Sequence, residues 1–282
     1  MNLRTFDRAD HFLDAVEETL LVHEAENALM LGIARRLLGG YTYGAEPAFL
    51  SCVERDGRVV AIATRTPPHN LLVREELGSA DALELVADHL QAASSPLPGV
   101  HGMRASAQRF AGIWSDLAGI HAEISMEQRL YRLTEVIPPE APPGGLRAAV
   151  REERQQLITW VASFVDEAVG GAPHPNPDEV VDRLTAAGDL LVWDDDGPRS
   201  MAGVGRPTET GISINLVYTP PEHRGKGYAS ACVAALSQRQ LDRGRRFCTL
   251  FTDLANPTSN ALYQRIGYRP IADFLEIRFR NS

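Results

Sequence analysis

The stretch from Val217 to Ala229, VYTPPEHRGKGYA, constrains this chain more than any other. An apolar strand pattern at Ile212, Ile214 and Leu216 runs into a Pro220-Pro221 turn. Arg224-Gly225-Lys226-Gly227-Tyr228-Ala229 then opens into a helical pattern with Cys232, Val233 and Leu236 on one face. A glycine loop that enters a helix leaves backbone N–H groups unpaired at the positive end of the helix dipole, where phosphate is attracted. Lacking a Cβ, glycine also lets the backbone come close to an oxygen. Lys226, the only lysine of the chain, stands in this loop. The segment reads as a diphosphate cradle.

Three phosphate-loop patterns compete for it. The G-x-x-x-x-G-K-[ST] spacing fails, because Pro220 replaces the first Gly and Gly227 the Ser or Thr. The dinucleotide pattern G-x-G-x-x-G fits in part as Gly225, Gly227 and Ser230, but the next strand, Phe247 to Thr252, lacks the acidic residue that a ribose contact needs. The pattern (R/Q)-x-x-G-x-(G/A) is met in full by Arg224, Gly227 and Ala229, and resembles the acetyl-CoA loop of the GCN5-related N-acetyltransferases (GNAT). Downstream, Asn256-Pro257-Thr258-Ser259-Asn260-Ala261-Leu262-Tyr263-Gln264-Arg265-Ile266-Gly267-Tyr268 resembles the second signature of that family. Local physics agrees: Asn256 suits an N-cap, Pro257 the first helical position and Gly267 a left-handed stop.

Other features narrow the class. No apolar run approaches the ~18 residues that span a bilayer, and no signal-like segment precedes Phe12, so a cytoplasmic location and no membrane partner are expected. A net charge of −9 argues against nucleic acid and favours cationic partners. Cys52, Cys232 and Cys248 are widely spaced and read as buried free thiols, and the scattered His residues give no metal spacing.

Pro138-Pro139-Glu140-Ala141-Pro142-Pro143-Gly144-Gly145 cannot continue a helix or a central strand, and reads as a linker. It divides a domain at 1–137 from one at 146–282. Strand, helix and turn signals in the second half run β-α-α-β-β-β-α-β-α-β-β, the last strand being Phe274 to Phe279, which is expected to close that sheet. The helix from Arg151 to Val169 is expected to bury Leu157, Val161, Phe164 and Ala168. The first half repeats the order, with helix over Phe12 to Leu38 in one or two pieces, a hairpin at Asp56-Gly57, a strand at Val100 to Ala105 and a helix from Phe110. Its counterpart of the glycine loop is Arg74-Glu75-Glu76-Leu77-Gly78, with two carboxylates where phosphates would sit. The expected fold is α/β, a mixed-sheet acyl-CoA N-acyltransferase fold in two tandem copies. The first copy is expected to be degenerate and without cofactor.

The resemblance implies the rest. The fourth and fifth strands of this fold splay apart and take the pantetheine arm of acetyl-CoA between them. Val217, Tyr218 and Thr219 should then pair with the arm. Gly225, Lys226, Gly227, Tyr228, Ala229 and Ser230, with Arg224, should hold the diphosphate, and Asn256 should bond the arm. Tyr263 matches the general acid, and the acceptor is a small-molecule or peptide amine. Phe251 stands where many relatives have a glutamate base. Asp253, Glu167 or a water chain are the substitutes, and His174 is a candidate acceptor contact. No metal is expected, and a homodimer stays open. Two other readings remain: an acyl-CoA-binding module without turnover, and a nicotinamide dinucleotide enzyme.

Overall fold

The computed structural model describes residues 1–76, 79–168 and 176–280. It divides into two units, Met1–Leu130 with the segment from Ala272 onward, and Tyr131–Ile271.

The first unit starts with β1 (Asn2–Thr5), which the sequence did not announce. Then come α1 (Ala9–Leu21), α2 (Ala28–Leu38), β2 (Phe49–Arg55), β3 (Arg58–Arg65), β4 (Leu71–Glu75), α3 (Ala80–Ala92), β5 (Gly99–Met103), α4 (Arg104–Ala118) and β6 (His121–Leu133). The long helical stretch is thus two helices. The strand expected to reach Ala105 stops at Met103, and α4 begins at once. The β2–β3 hairpin turns on Asp56 and Gly57, both at positive φ (51° and 76°), the geometry that a two-residue Asp-Gly loop favours. One core packs β4 and β5 against α3 and α4 through Leu71, Val73, Leu83, Val86, Phe110 and Trp114. A second packs α1 and α2 on the other face through Phe12, Val16, Leu31 and Ile62.

From residue 145 on the chain repeats that order: β7 (Gly145–Ala148), α5 (Arg154–Ala168), α6 (Pro177–Ala187), β8 (Leu190–Asp194), β9 (Pro198–Gly205), β10 (Gly211–Tyr218), α7 (Tyr228–Asp242), β11 (Phe247–Asp253), α8 (Pro257–Arg265) and β12 (Arg269–Arg280). The β8–β9 turn repeats the positive-φ pair at Asp196 and Gly197 (53° and 108°). Helix α6 is capped by Asn176, whose side chain accepts from the Asp178 N–H, and stops at left-handed Gly188. On α5 the buried stripe is Leu157, Trp160, Val161 and Val165, whereas Ala168 is exposed. Arg151–Glu153 is a 3₁₀ turn ahead of that helix.

The last strand is where expectation fails. Phe274 pairs antiparallel with Met103 and Arg278 with Gly99, so β12 lies beside β5 in the first unit, in the order β1-β2-β3-β4-β5-β12-β6. Leu275 and Ile277 enter the core of α3 and α4. The far end of β6 belongs to the second unit, where β6 neighbours β11 and Tyr131 and Leu133 join the core built on α7. Alternation shows that a segment is a strand and does not show which sheet receives it. Around the Pro/Gly segment, the Ile137 N–H just ahead of it donates to the Ile266 carbonyl, and the Trp193 indole N–H donates to the Pro143 carbonyl.

Candidate functional site

Strands β10 and β11 run parallel and pair only over Gly211–Ser213 with Phe247–Thr249, although β10 continues to Tyr218 and β11 to Asp253. The last pair is tied by Ser213 Oγ and Thr249 Oγ1 at 3.1 Å. Beyond it β10 bulges: between Asn215 and Tyr218 it takes three steps while β9 takes two, and Leu216 sits at φ 51°. The two central strands therefore part where the sequence expected a splay. Ser200, fully buried on β9, fixes the far side of the bulge: its hydroxyl donates to the Tyr218 carbonyl at 3.1 Å and accepts from Thr219 Oγ1 at 2.8 Å. Nothing in the sequence marked Ser200 beyond a hydroxyl in an apolar strand.

A 3₁₀ turn at Pro221–His223 then leads into the glycine loop. Gly225 (φ 73°) and Gly227 (φ 85°) both take left-handed backbone, and Gly227 is the N-cap of α7. With no side chain there, the first-turn N–H groups of α7 have no side-chain cap. Arg224 to Gly227 are exposed, and Ala229 and Ser230 half-buried.

The side chains of the loop face elsewhere. Arg224 Nε donates to the Thr219 carbonyl (2.9 Å), and Arg224 NH2 donates to both carboxylate oxygens of Glu167 (2.9 and 2.8 Å). Lys226 Nζ donates to the Glu222 carbonyl at 2.9 Å. Tyr228 is buried, with its hydroxyl on Asp195 Oδ2 at 2.5 Å, a bond that pushes the phenol above its usual range. Of the residues expected to hold diphosphate, the structure offers backbone from Gly225 to Ser230 and engages the Arg224, Lys226 and Tyr228 side chains in local bonds.

Asn256 caps α8, its Oδ1 accepting from the Ser259 N–H at 3.0 Å, and Gly267 ends the helix turn at φ 108°. Asn260 ties this corner together: its amide donates to the carbonyls of Asp253 (2.8 Å) and Asn256 (2.7 Å), and its Oδ1 accepts from the Tyr131 hydroxyl at 2.8 Å. That last partner comes from β6 in the first half of the sequence, so no local signal could have disclosed it. Tyr263 is buried in the α7 core at 7 % exposure, 6.0 Å edge-on to Tyr268. Burial first, and then Cys232, raises its hydroxyl well above the ordinary phenol range. Phe251 is half-buried on β11. Asp253 Oδ1 accepts from the Ala255 N–H at 2.8 Å. His174, Leu77 and Gly78 lie outside the described residues. Cys52, Cys232 and Cys248 are free and buried, pushed by burial to about 11, about 12 and about 12.

Residues 198–276 match the model of the FR47-like protein family. Solved structures resemble the whole chain. A GCN5-related N-acetyltransferase from Sphaerobacter thermophilus is 19% identical over 99% of this chain and 96% of its own, with a TM-score of 0.63. A GNAT-family acetyltransferase from Colwellia psychrerythraea is 13% identical over 99% and 100%, at 0.61. The fold is that of the GCN5-related N-acetyltransferases. A tandem GNAT protein from the clavulanic acid biosynthesis pathway is 14% identical over 99% of this chain and 98% of its own, at 0.58. No curated protein matches the sequence significantly. The mixed α/β architecture expected from the sequence is the one observed, and the structures similar to it include that tandem GNAT protein. No helix among the described residues is long and apolar enough to cross a membrane, and these residues contain no cluster of three or more candidate metal ligands.

Proposed function

We propose that the second unit transfers the acetyl group of acetyl-CoA to a primary amine in a ternary complex. The observation that carries this reading is the end of β10–β11 pairing at Ser213–Thr249, next to an exposed glycine loop that opens α7. The end of β10–β11 pairing leaves the β11-facing edge of β10 open to an extended arm beside Val217 to Thr219, with the Tyr218 and Thr219 carbonyls already held by Ser200 and Arg224, and the N–H groups from Gly225 to Ser230 suit a diphosphate. Acetyl-CoA supplies an activated thioester. The amine nitrogen attacks its carbonyl carbon and sheds one N–H proton to solvent, the C–S bond breaks, and the departing thiolate takes the Tyr263 proton, which solvent then restores. Burial keeps Tyr263 protonated throughout the neutral range, and by raising the phenol it also makes the hydroxyl a weaker donor than a free phenol.

For the amine, Glu167 is held by Arg224 and Phe251 carries no charge. We therefore assign loss of the ammonium proton to solvent, so the enzyme takes the free amine. The first unit is read as a fold without cofactor. There the Glu76 N–H already donates to the Val60 carbonyl at 2.7 Å, and Glu75, with a side chain only 4% exposed, pairs with Arg109 at 3.3 Å. Burial pushes the Glu75 carboxyl up.

Incubating the full chain with acetyl-CoA and an amine panel, with free thiol as readout, tests the proposal. Thiol release that depends on one class of amine is expected. Tight CoA binding with the same slow release for every amine favours the non-catalytic module, and NAD binding without CoA binding overturns the reading.

A further inference from the structure

Arg224 occupies the first position of the loop pattern, yet its guanidinium points back into the protein. Its Nε holds the Thr219 carbonyl, at the end of the strand segment that lines the splay. Its carbon lies 5.7 Å from the centre of the Tyr218 ring, and that ring sits 6.2 Å from Trp160 of α5. Its NH2 reaches Glu167 in the last turn of α5. The contacts close a circuit: α5 touches Tyr218 through Trp160, Tyr218 lies under Arg224, and Arg224 returns to α5 through Glu167. Leu157, Trp160, Val161 and Val165 bury α5, so Glu167 projects from a packed helix.

Stability alone gives no reason for the ion pair. Both side chains are about half exposed, 46% and 49%. Pairs of that kind contribute little to folding. Its geometry has a different consequence, because one oxygen pair fixes a guanidinium that in turn fixes the carbonyl of Thr219 and the entry to Gly225. Preorganised backbone binds more tightly than backbone that must be ordered on binding.

We propose that Glu167 is a positioning residue for the acetyl-CoA site, holding Arg224 so that the end of β10 and the start of the glycine loop are set before the ligand arrives. The inference rests on the acyl-transfer reading above. It also runs against simple electrostatics, which makes it sharp. A carboxylate near a diphosphate site repels the ligand, so its field alone predicts tighter binding once it is removed. Positioning predicts weaker binding.

The test uses the full chain with Glu167→Ala, Glu167→Gln, Arg224→Gln and the Glu167→Ala/Arg224→Gln double variant. Acetyl-CoA affinity is read by calorimetry, KM and kcat by thiol release, and folding by thermal melting. Glu167→Ala is expected to raise the acetyl-CoA Kd and KM about fivefold, roughly the effect of one well-made surface ion pair. The kcat at saturation and the melting temperature should stay close to wild type. Glu167→Gln, which keeps one oxygen for Arg224, should fall between the two. The double variant should bind no worse than Arg224→Gln alone, because both changes cut one circuit. Unchanged or tighter binding by Glu167→Ala, or additive losses in the double variant, overturns the positioning role while leaving acyl transfer intact. A wild-type chain that binds no acetyl-CoA overturns both.

Discussion

Gly227 separates backbone cost from ligand cost, because the structure gives each a different source. Its φ of 85° is left-handed, and a Cβ added there meets only Pro142 Cδ at 3.6 Å and the Glu140 carbonyl at 3.8 Å, which are ordinary contacts. Gly227→Ala therefore incurs the conformational cost alone, about 1–2 kcal/mol for an L residue in this region. Loss of glycine freedom in the unfolded chain offsets about 0.4–1 kcal/mol of it. The net is on the order of 1 kcal/mol, or a fall in melting temperature of about 2–4 °C for a unit of this size. Gly225→Ala, at φ 73° with no atom within 4 Å, should match it. Gly211→Ala should be far worse, since its Cβ would lie 2.2 Å from the Phe247 ring.

Gly227→Asp then reverses the order between stability and binding. Aspartate tolerates left-handed backbone better than alanine, so it should unfold less readily than Gly227→Ala. On the proposed reading, however, its carboxylate would add a negative charge within the loop that holds the diphosphate. Two unit charges 4 Å apart repel by about 4 kcal/mol at an effective dielectric of 20, and allowing for salt the affinity should drop at least about 100-fold. Calorimetry and thermal melting on the two variants decide the matter. Wild-type acetyl-CoA affinity in Gly227→Asp refutes the assignment of this loop to phosphate.

Two further outcomes concern chemistry. Tyr263→Phe keeps the ring that packs edge-on to Tyr268 and removes only the hydroxyl, so acetyl-CoA affinity should hold while single-turnover kcat falls about 10²–10⁴-fold; a silent substitution removes Tyr263 from the mechanism. With no enzyme base assigned, kcat/KM for a given amine should rise with pH in step with its neutral fraction and level off above the amine pKa. Because burial disfavours the Tyr263 phenolate, no falling limb from that residue should appear below about pH 10; a profile whose rising limb stays fixed when the amine is changed points to an enzymic base instead.

What was legible in the sequence had its cause within a few residues. Asp56-Gly57 and Asp196-Gly197 each demand two positive-φ residues between strands, and both turns formed. Asn256-Pro257 and Gly267 carry their capping chemistry in their own side chains or lack of one, and α8 runs between them. The glycine loop is largely of the same kind: the left-handed turns at Gly225 and Gly227 follow from those residues themselves. Side-chain direction was not legible, because Arg224 and Tyr228 answer to partners 57 and 33 positions away, Glu167 and Asp195.

The exchange of β12 lies further out of reach. Phe274, Leu275 and Ile277 have the alternation of a half-buried strand, and that pattern fits any sheet edge with an apolar face. Side-chain pairs such as Arg129 with Asp273, joined at 2.7 and 2.9 Å, accompany the placement of β12, and they unite residues 144 positions apart. The same holds in the second unit, where Tyr131 supports Asn260 across 129 positions and so steadies the carbonyls of Asp253 and Asn256. The loop that suits a diphosphate is thus written locally, whereas the corner that carries Asn256 and Tyr263 is completed by a strand from the other half of the chain.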